Sequence, residues 1–149
     1  MDAAPSVTLD DGEIASVLGT GGTGVLSLAS GDGPPISRPV SYGFDAETER
    51  FYFRLAVGPG SEKAPFVDGG AVSFVTYEQT EEGWQSVVAT GHLDPIEEED
   101  VDPEVLEGLS RVHIPLYDVF GEDPRDVKFR FVRLDPDSLT GRRETPSAE

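Results

Sequence analysis

Short apolar stretches separated by turn-forming residues run through most of this chain, a pattern typical of antiparallel β structure. Six stretches are rich enough in branched and aromatic residues to be predicted as strands. In chain order they read GVLSLAS, ISRPVSYGF, FYFRLAV, AVSFVTYE, WQSVVATGHLDPI and KFRFVRLDP. The short turns that follow the first and the fourth of these strands predict hairpins.

Several positions within these strands carry expectations of their own. Pro39 has no N–H to give to a ladder, so we expect it at a strand edge or a bulge. Gly91 is expected to mark a bulge in the fifth strand. Alternation in the last strand predicts that Phe129 and Phe131 face inward, together with Val132 or Leu134. The fourth strand is apolar in both of its alternating sets, which predicts burial on both faces; its apolar residues are Val72, Phe74, Val75 and Tyr77.

Three short helices are expected between the strands. The first reads EIASVLG, begins after a cap at Asp10 or Asp11, and has its larger apolar residues on one face. A flexible glycine link over residues 19–24 is expected to follow it. The second helix is predicted over Ser61–Val67. The third reads PEVLEGLSRV, with Pro103 in its first turn.

Together these elements predict a mainly β fold with short helices, an antiparallel barrel with helical decoration. The length of 149 residues predicts a single domain over residues 1–149. Its core is expected to span about 12–134. We expect Met1–Leu9 to be a loose lead-in and residues 135–149 to be a tail.

The segment Phe51–Lys63 combines a predicted strand with a glycine turn and the start of a helix. Gly58, Pro59 and Gly60 end the strand, and Ser61 and Lys63 follow at the helix start, in the reading FYFRLAVGPGSEK. Such a corner directs backbone N–H groups, a hydroxyl and an ammonium at one point, which is how proteins hold a phosphate. The alternative is an ordinary serine cap followed by a solvated lysine. The order of residues is not that of a P-loop, so a nucleoside triphosphate is not indicated.

The charge of the chain is unusual. Twenty-nine acidic residues against eleven basic ones give a net charge of −18. Such a surface repels nucleic acids and anionic membranes, so neither is an expected partner. The acidic residues are spread along the chain, which suits a protein that works in a salt-rich cytoplasm, where ions screen self-repulsion. A halophilic, cytoplasmic protein is therefore predicted.

Other features narrow the chemistry. The chain has no cysteine, which excludes disulfides, cysteine-based zinc sites and thiol catalysis. His92 and His113 are far apart in sequence, so we expect no metal site. No apolar run approaches the length of a membrane span, and no leader peptide is evident, so a soluble, non-secreted protein is expected.

The order of the helix and the segments GTGVLSLAS, RPVSYGF, FYFRLAVGPGSEK, AVSFVTYE and GWQSVVATGHL resembles the pyridoxamine 5′-phosphate oxidase-like, FMN-binding split-barrel superfamily. Within it, the chain is most similar to small flavin-binding proteins related to nitroimidazole reductases. The resemblance covers roughly Gly12 to Leu134. It implies a six-stranded antiparallel split barrel and a homodimer, with one FMN in each of two clefts between the subunits.

The resemblance also implies which positions contact the flavin. Ser61 and Lys63 match the residues that hold the FMN phosphate. The strand beside the flavin ring is matched by Arg38, Pro39, Val40 and Ser41. The segment that lines the ribityl chain and phosphate is matched by Tyr52, Phe53 and Arg54. The strand start that approaches the flavin from near the dimer cleft is matched by Trp84, Ser86 and Val87.

Two departures from the family pattern bear on activity. Arg54 stands where members that act on nitroimidazoles often carry a histidine, and the residues that grip pyridoxamine phosphate in the true oxidases are not recognisable. The function expected is an FMN-dependent oxidoreductase that transfers electrons or hydride between a nicotinamide or deazaflavin donor and a small-molecule acceptor. The alternatives are a non-catalytic flavin store or sensor, and a barrel-shaped interaction module without a cofactor. The net charge and the lack of a basic aromatic face argue against the last.

Overall fold

All six predicted strands are present, and together they close into an antiparallel barrel. The computed structural model describes residues 6–29, 32–57, 70–81, 83–96, 103–114 and 128–144. The elements in chain order are β1 (Ser6–Thr8), α1 (Asp11–Leu18), β2 (Gly21–Leu28), β3 (Ile36–Asp45), β4 (Arg50–Val57), β5 (Ala71–Thr80), β6 (Gly83–Ile96), α2 (Pro103–Arg111) and β7 (Lys128–Glu144). The helix predicted over Ser61–Val67 lies outside the described residues.

The barrel follows the order β7–β4–β3–β2–β5–β6 and is closed by pairing of β6 with β7. The three-residue strand β1 adds to the free edge of β7. Both predicted hairpins, β2–β3 and β5–β6, are confirmed. The predicted bulge is also confirmed, because the register between β6 and β7 shifts between Thr90 and Gly91.

Aromatic rings fill the inside of the barrel. Neighbouring ring centroids lie 4.9–6.1 Å apart. The rings belong to Tyr42, Phe44, Phe51, Phe53 and Phe74, all of them buried. They lie on alternate positions of β3, β4 and β5, so the period of two along each strand places them on the inner face. Burial of such large apolar surfaces is the main favourable term in the stability of this fold.

Helix α1 packs against this core. Asp10 caps it, since its carboxylate accepts a hydrogen bond from the Glu13 N–H at 2.8 Å while the Glu13 carboxylate accepts from the Asp10 N–H at 3.1 Å. Ile14 and Leu18 are buried, as predicted from their spacing. The Tyr42 hydroxyl donates to the Leu18 carbonyl at 3.1 Å, which ties the end of the helix to β3.

The expected glycine link after α1 is wrong, because β2 already begins at Gly21. Glycine is needed in this strand for close packing. A Cβ on Gly24 would lie 2.5 Å from the Cζ atom of Phe74, well inside contact distance. The glycines therefore make room for the aromatic core.

The face of the last strand on which Phe131 was predicted to lie is wrong. Phe131 is 39% exposed and faces outward, whereas Val132 and Leu134 are fully buried. The pairing with β4 decides which side chains face the core, since it places Val132 opposite Phe53 and Leu134 opposite Phe51, both in the core.

The expected ends of the fold are corrected as well. Strand β7 continues to Glu144, and residues 135–144 pair with β6, so the predicted tail does not begin at residue 135. At the other end, Ser6–Thr8 pairs with residues 142–144, within the stretch expected to be a loose lead-in.

Burial on both faces of β5 is not found within the single chain. Its inner residues Val72 and Phe74 are buried, but Val75 is half-buried and Tyr77 is 64% exposed. The outer face of β5 is thus apolar in sequence and uncovered in the structure.

Candidate functional site

The ladder between β3 and β4 opens partway along its length. It runs from the pair Asp45–Arg50 to the pair Ser41–Arg54. Beyond that pair, Ile36–Val40 is paired with β2 and Leu55–Val57 with β7, but the two segments are not paired with each other. We call this opening the split.

The split leaves one edge of β3 open. Backbone N–H and C=O groups along a strand point alternately to its two sides, so every second residue of Ile36–Val40 directs its groups into the split. Pro39 lies within this segment, which confirms that it is placed at a strand edge. An open strand edge of this kind can hydrogen-bond a polar ligand in the way it would bond another strand.

The outer mouth of the split combines a hydroxyl, a cation and an apolar ring. Ser41 is buried and Arg54 is half-buried, and the two are paired across the strands. Burial lowers the pKa of Arg54, although a guanidinium remains charged at neutral pH. Phe131 lies opposite Arg54 on the other side, on β7. This chemistry suits an anionic group attached to a flat apolar body.

The predicted flavin-contacting residues of β3 alternate between two environments. Val40 points into the core, so only its backbone can contact a ligand, and Pro39 is exposed on the outer face. Arg38 is half-buried, and its Nη1 donates to the Ser37 carbonyl at 3.3 Å. It lies on the face of β3 that carries Val40, at the open end of the ladder.

The residues predicted on β4 divide in the same way. Phe53 is fully buried in the aromatic core, and its backbone lies between two paired strands, opposite Tyr42 of β3 and Val132 of β7. Tyr52 is also fully buried, but on the outer face, where Gly108 of α2 covers it. Of the three, Arg54 is the residue whose side chain reaches the mouth of the split. Ser61 and Lys63 lie outside the described residues, a few positions after β4 ends at Val57.

The third predicted group does not join the split within one chain. Trp84, Ser86 and Val87 lie at the start of β6, separated from β3 by β2 and β5. Trp84 is 47% exposed on the outer face, whereas the Val87 side chain is fully buried in the core.

An ion-pair cluster under α2 was not predicted from the sequence. Arg111 donates to both oxygens of Asp45, at 2.8 and 2.7 Å. Asp45 is 1% exposed, and hydrogen bonds, first of all from Arg111, lower its pKa to about 2. The two residues are 66 positions apart, and no local pattern links them. The pair fixes α2 against the end of β3 that lies farther from the split.

The outer face of five strands carries two rows of uncharged side chains. One row is made of hydroxyl residues, which are Ser37, Ser27, Ser73, Thr90 and Ser138. The next row is mainly apolar and consists of Pro39, Val25, Val75, Val88 and Thr140. None of the ten is buried, and none is charged, in a chain of which 27% of residues are charged. We refer to these ten residues as the uncharged face.

Long apolar helices and clusters of metal-ligating side chains are both missing from the described part of the chain. No helix there is long and apolar enough to cross a membrane. In the same residues no group of three or more histidine, cysteine, aspartate or glutamate side chains is placed to hold a metal ion.

A closed six-stranded antiparallel barrel with few short helices, opened between two of its strands, defines the fold class of this protein. The family model described as pyridoxamine 5′-phosphate oxidase matches residues 10–143. The chain therefore belongs to the pyridoxamine 5′-phosphate oxidase family, as the resemblance predicted.

Solved structures show the same fold. An FAD-binding protein from Mycobacterium smegmatis has 19% identity and a TM-score of 0.68, with 91% of this chain and 98% of that chain covered. An FAD-binding protein from Mesorhizobium loti has 23% identity and a TM-score of 0.64, with 97% and 100% covered. A candidate 5-nitroimidazole antibiotic resistance protein from Bacteroides thetaiotaomicron has 16% identity and a TM-score of 0.66, with 95% and 89% covered. No curated protein matches the chain.

Proposed function

We propose that this protein binds FMN in the split between β3 and β4. The observation that carries the proposal is the ladder that ends at Ser41 and Arg54, next to an open strand edge. FMN joins a phosphate dianion to a flat, largely apolar ring with polar edges, and the split offers a complement to each part. Membership of the family and the FAD-binding neighbours support a flavin. That this flavin is FMN is the more specific part of the proposal.

The phosphate end of the cofactor would lie where β4 leaves the barrel. Arg54 supplies a half-buried cation there, and the sequence continues from β4 into Gly58, Pro59, Gly60 and then Ser61. The N–H groups of such a turn, with the Ser61 hydroxyl and the Lys63 ammonium, are suited to the remaining phosphate oxygens. Lys63 is one of two lysines in the chain, and its place directly after the turn favours this role.

The ring end would lie along the open edge of β3. Backbone groups of Arg38–Ser41 would bond the polar edge of the ring, and Pro39 would pack against its face. A strand backbone recognises such an edge without any particular side chain. This explains how buried residues such as Val40 can belong to a binding site.

The protein would act as a homodimer with a flavin in each cleft between the subunits. The support is the uncharged face, which ends at Pro39 and therefore borders the split. A surface without charge is unusual for a chain of net charge −18, and it avoids repulsion when two such chains meet. The second copy would bring the start of its β6, with Trp84 and Ser86, close to the flavin, and would cover Val75 on the outer face of β5.

The activity we propose is electron or hydride transfer between a nicotinamide or deazaflavin donor and a small-molecule acceptor. The bound flavin would supply the redox chemistry, while the chain binds it, orients it and shields one of its faces. A non-catalytic flavin store or sensor is the second candidate. It is favoured by the side chains described at the split, which include Arg54 but no acid or histidine to transfer a proton.

One experiment separates the two. Purified protein loaded with FMN is mixed anaerobically with NADH, NADPH or a reduced deazaflavin, and the visible absorption of the flavin is followed. The oxidoreductase predicts rapid bleaching by at least one donor and recovery when an acceptor is added. A flavin that stays oxidised with every donor, yet bleaches with dithionite, would favour the store or sensor.

We also propose that the protein works in a cytoplasm rich in salt. The proposal is supported by the charge of −18 and by the way that basic residues are used. Arg50, Arg111, Arg133 and Arg143 all pair with carboxylates of the same chain, which neutralises these four cations. The acidic surface is left to be screened by solvent ions.

A further inference from the structure

Ser86 is the shortest of four neighbouring side chains on the outer face of β5, β6 and β7, a group that we call the cup. Tyr77 is its partner across β5, and Arg142 is its partner across β7. Trp84 precedes it by two residues and therefore lies on the same face. The rings of Tyr77 and Trp84 contact each other, with centroids 5.9 Å apart. A short, half-buried serine is thus surrounded by two large rings and a long cation.

Both rings are open to solvent. Tyr77 is 64% exposed and Trp84 is 47% exposed. Exposing so much aromatic surface costs free energy, and adjoining exposed aromatic residues commonly mark a binding surface. A nucleobase stacks well on such rings, with a contribution of about 1–3 kcal/mol per base in proteins that use this contact.

Arg142 differs in its contacts from the other arginines whose side chains the structure describes. It is exposed and forms no ion pair or hydrogen bond with any residue in the described ranges. In a chain with 29 acidic and 11 basic residues, an arginine is expected to find a carboxylate partner. The neighbouring Arg143, which points to the other face, contacts Glu13 at 3.5 Å. Among the described residues, nothing occupies the Arg142 guanidinium, and this group suits a phosphate well.

We propose that the cup formed by Tyr77, Trp84, Ser86 and Arg142 binds the adenylate part of a nucleotide. The base stacks on the two rings, the phosphate pairs with Arg142, and the Ser86 hydroxyl donates to the ligand from the floor of the cup. The acidic surface elsewhere repels a polyanion, so the ligand is a small nucleotide and not a nucleic acid. This site goes beyond the proposed FMN site, because an FMN molecule has no adenylate.

Two kinds of ligand contain an adenylate that could occupy the cup. One is FAD, whose flavin would occupy the split and whose adenylate would occupy the cup, within a cleft between two copies. The other is a nicotinamide dinucleotide that exchanges electrons with the flavin and then leaves. The cup recognises the same group in both, and an experiment can tell them apart.

The test begins with AMP and the flavin-free protein, so that it does not depend on flavin binding. Trp84 is the only tryptophan in the chain, and its fluorescence therefore reports on the cup alone. AMP is expected to quench it in a saturable way. The variant Arg142→Gln should bind AMP at least about tenfold more weakly, since it loses a charge-assisted contact, and should bind adenosine as the unaltered protein does.

Arg143→Gln is the matched control, because it removes the same charge from the next residue on the opposite face. It should leave the AMP affinity within about twofold. AMP at millimolar concentration that leaves Trp84 fluorescence unchanged, or an equal loss of AMP affinity in both variants, would overturn the proposal.

The source of the adenylate is then found with Tyr77→Ala and Arg142→Gln. If the cup serves FAD, both variants weaken FAD binding while FMN binding is retained. If it serves a dissociable dinucleotide, both weaken binding of NAD⁺ to the flavin-loaded protein while the FAD-to-FMN affinity ratio is unchanged. Either pattern supports the site, and no effect on FAD or NAD⁺ contradicts it.

Discussion

Arg111 holds Asp45 with two hydrogen bonds of 2.8 and 2.7 Å, and so joins the end of α2 to the end of β3. Asp45 also accepts from the Thr48 hydroxyl at 2.6 Å and from the Glu47 N–H at 3.2 Å. A carboxylate with 1% exposure and this many donors is stable as an anion. The pair thereby orients the strand whose other half lines the split.

Asp45→Asn should lower the free energy of unfolding at neutral pH by about 2 kcal/mol, because it leaves Arg111 without its buried charge partner. The pKa of Asp45 is lowered from 3.8 to about 2 in the folded protein. Its stabilisation is therefore complete above about pH 4 and is lost as the pH falls through about 2. Denaturant unfolding at neutral pH and near pH 2 measures this, and the two proteins should converge at the lower pH.

Glu47→Gln is the control for this prediction. Glu47 also contacts Arg111, at 3.4 Å, but its side chain is 73% exposed. Its loss should cost less than about 0.5 kcal/mol. A cost for Glu47→Gln as large as that for Asp45→Asn would mean that burial does not decide the strength of this pair.

Two buried tyrosine hydroxyls should respond in opposite ways to removal. The Tyr42 hydroxyl donates to Leu18, and Tyr42→Phe should cost about 1 kcal/mol. The Tyr52 hydroxyl is buried and makes no hydrogen bond of good geometry in the described residues, although Arg50 lies close enough to interact with it. Tyr52→Phe should therefore be neutral or raise the stability by about 1 kcal/mol. Thermal or denaturant unfolding of both variants measures the difference.

Gly108 should be sensitive to the same hydroxyl. A Cβ on Gly108 would collide with the Tyr52 hydroxyl oxygen, so Gly108→Ala should destabilise the protein by about 1–3 kcal/mol. In the Tyr52→Phe background the cost should shrink by at least about 1 kcal/mol. Equal costs in both backgrounds would contradict the contact between α2 and Tyr52.

The sequence predicted the strands of the barrel well, because short stretches of neighbouring residues are enough to define each strand. Alternating apolar positions define the strands, and single residues such as Pro39 and Gly91 define an edge and a bulge. The direction of the Phe131 side chain was predicted wrongly, because the residues of β4 that lie opposite β7 decide which of its side chains face the core. The end of β7 was missed because its last part is polar and is held by pairing with β6.

The candidate site was less predictable. Arg54 and Ser41 were found by resemblance, and the structure adds that they close the ladder at the split. The cup around Ser86 depends on residues from three strands, and Arg142 was expected to lie in a tail. Asp45 and Arg111 are joined only by tertiary structure. No periodicity in the sequence carries such long-range information.

The uncharged face should hold two copies together. Val75→Asp or Val88→Asp places a charge in the middle of this face, and each should convert a dimer into monomers, because the carboxylates would be desolvated and would repel each other. Sedimentation equilibrium measures the mass. Leu106→Asp is the control, since Leu106 is 57% exposed on α2, away from this face, and should leave the mass unchanged. An unaltered protein that is monomeric would refute the interface.

Salt should stabilise the fold strongly. With a net charge of −18, repulsion among carboxylates acts over a screening length of about 10 Å at 0.1 M salt and about 3 Å at 1 M. The melting temperature should rise steadily from millimolar to molar potassium chloride. A melting temperature that does not change over this range would remove the case for a salt-rich cytoplasm.

The phosphate end of the flavin site can be tested by variants of the turn. Lys63→Ala and Ser61→Ala should each weaken FMN binding by roughly 1.5–3 kcal/mol, about tenfold to a hundredfold, by removing a phosphate contact. Riboflavin lacks the phosphate and is the control ligand, so its affinity should not change. Unchanged FMN affinity in both variants would place the phosphate at a different turn.

The most direct test of the account is a titration of the flavin-free protein with FMN, followed by visible absorption and by quenching of flavin fluorescence. We expect saturation at one FMN per chain at micromolar concentration, with riboflavin bound at least about tenfold more weakly. A protein that is colourless when purified and takes up no FMN in this titration would contradict the assignment of the split as a flavin site.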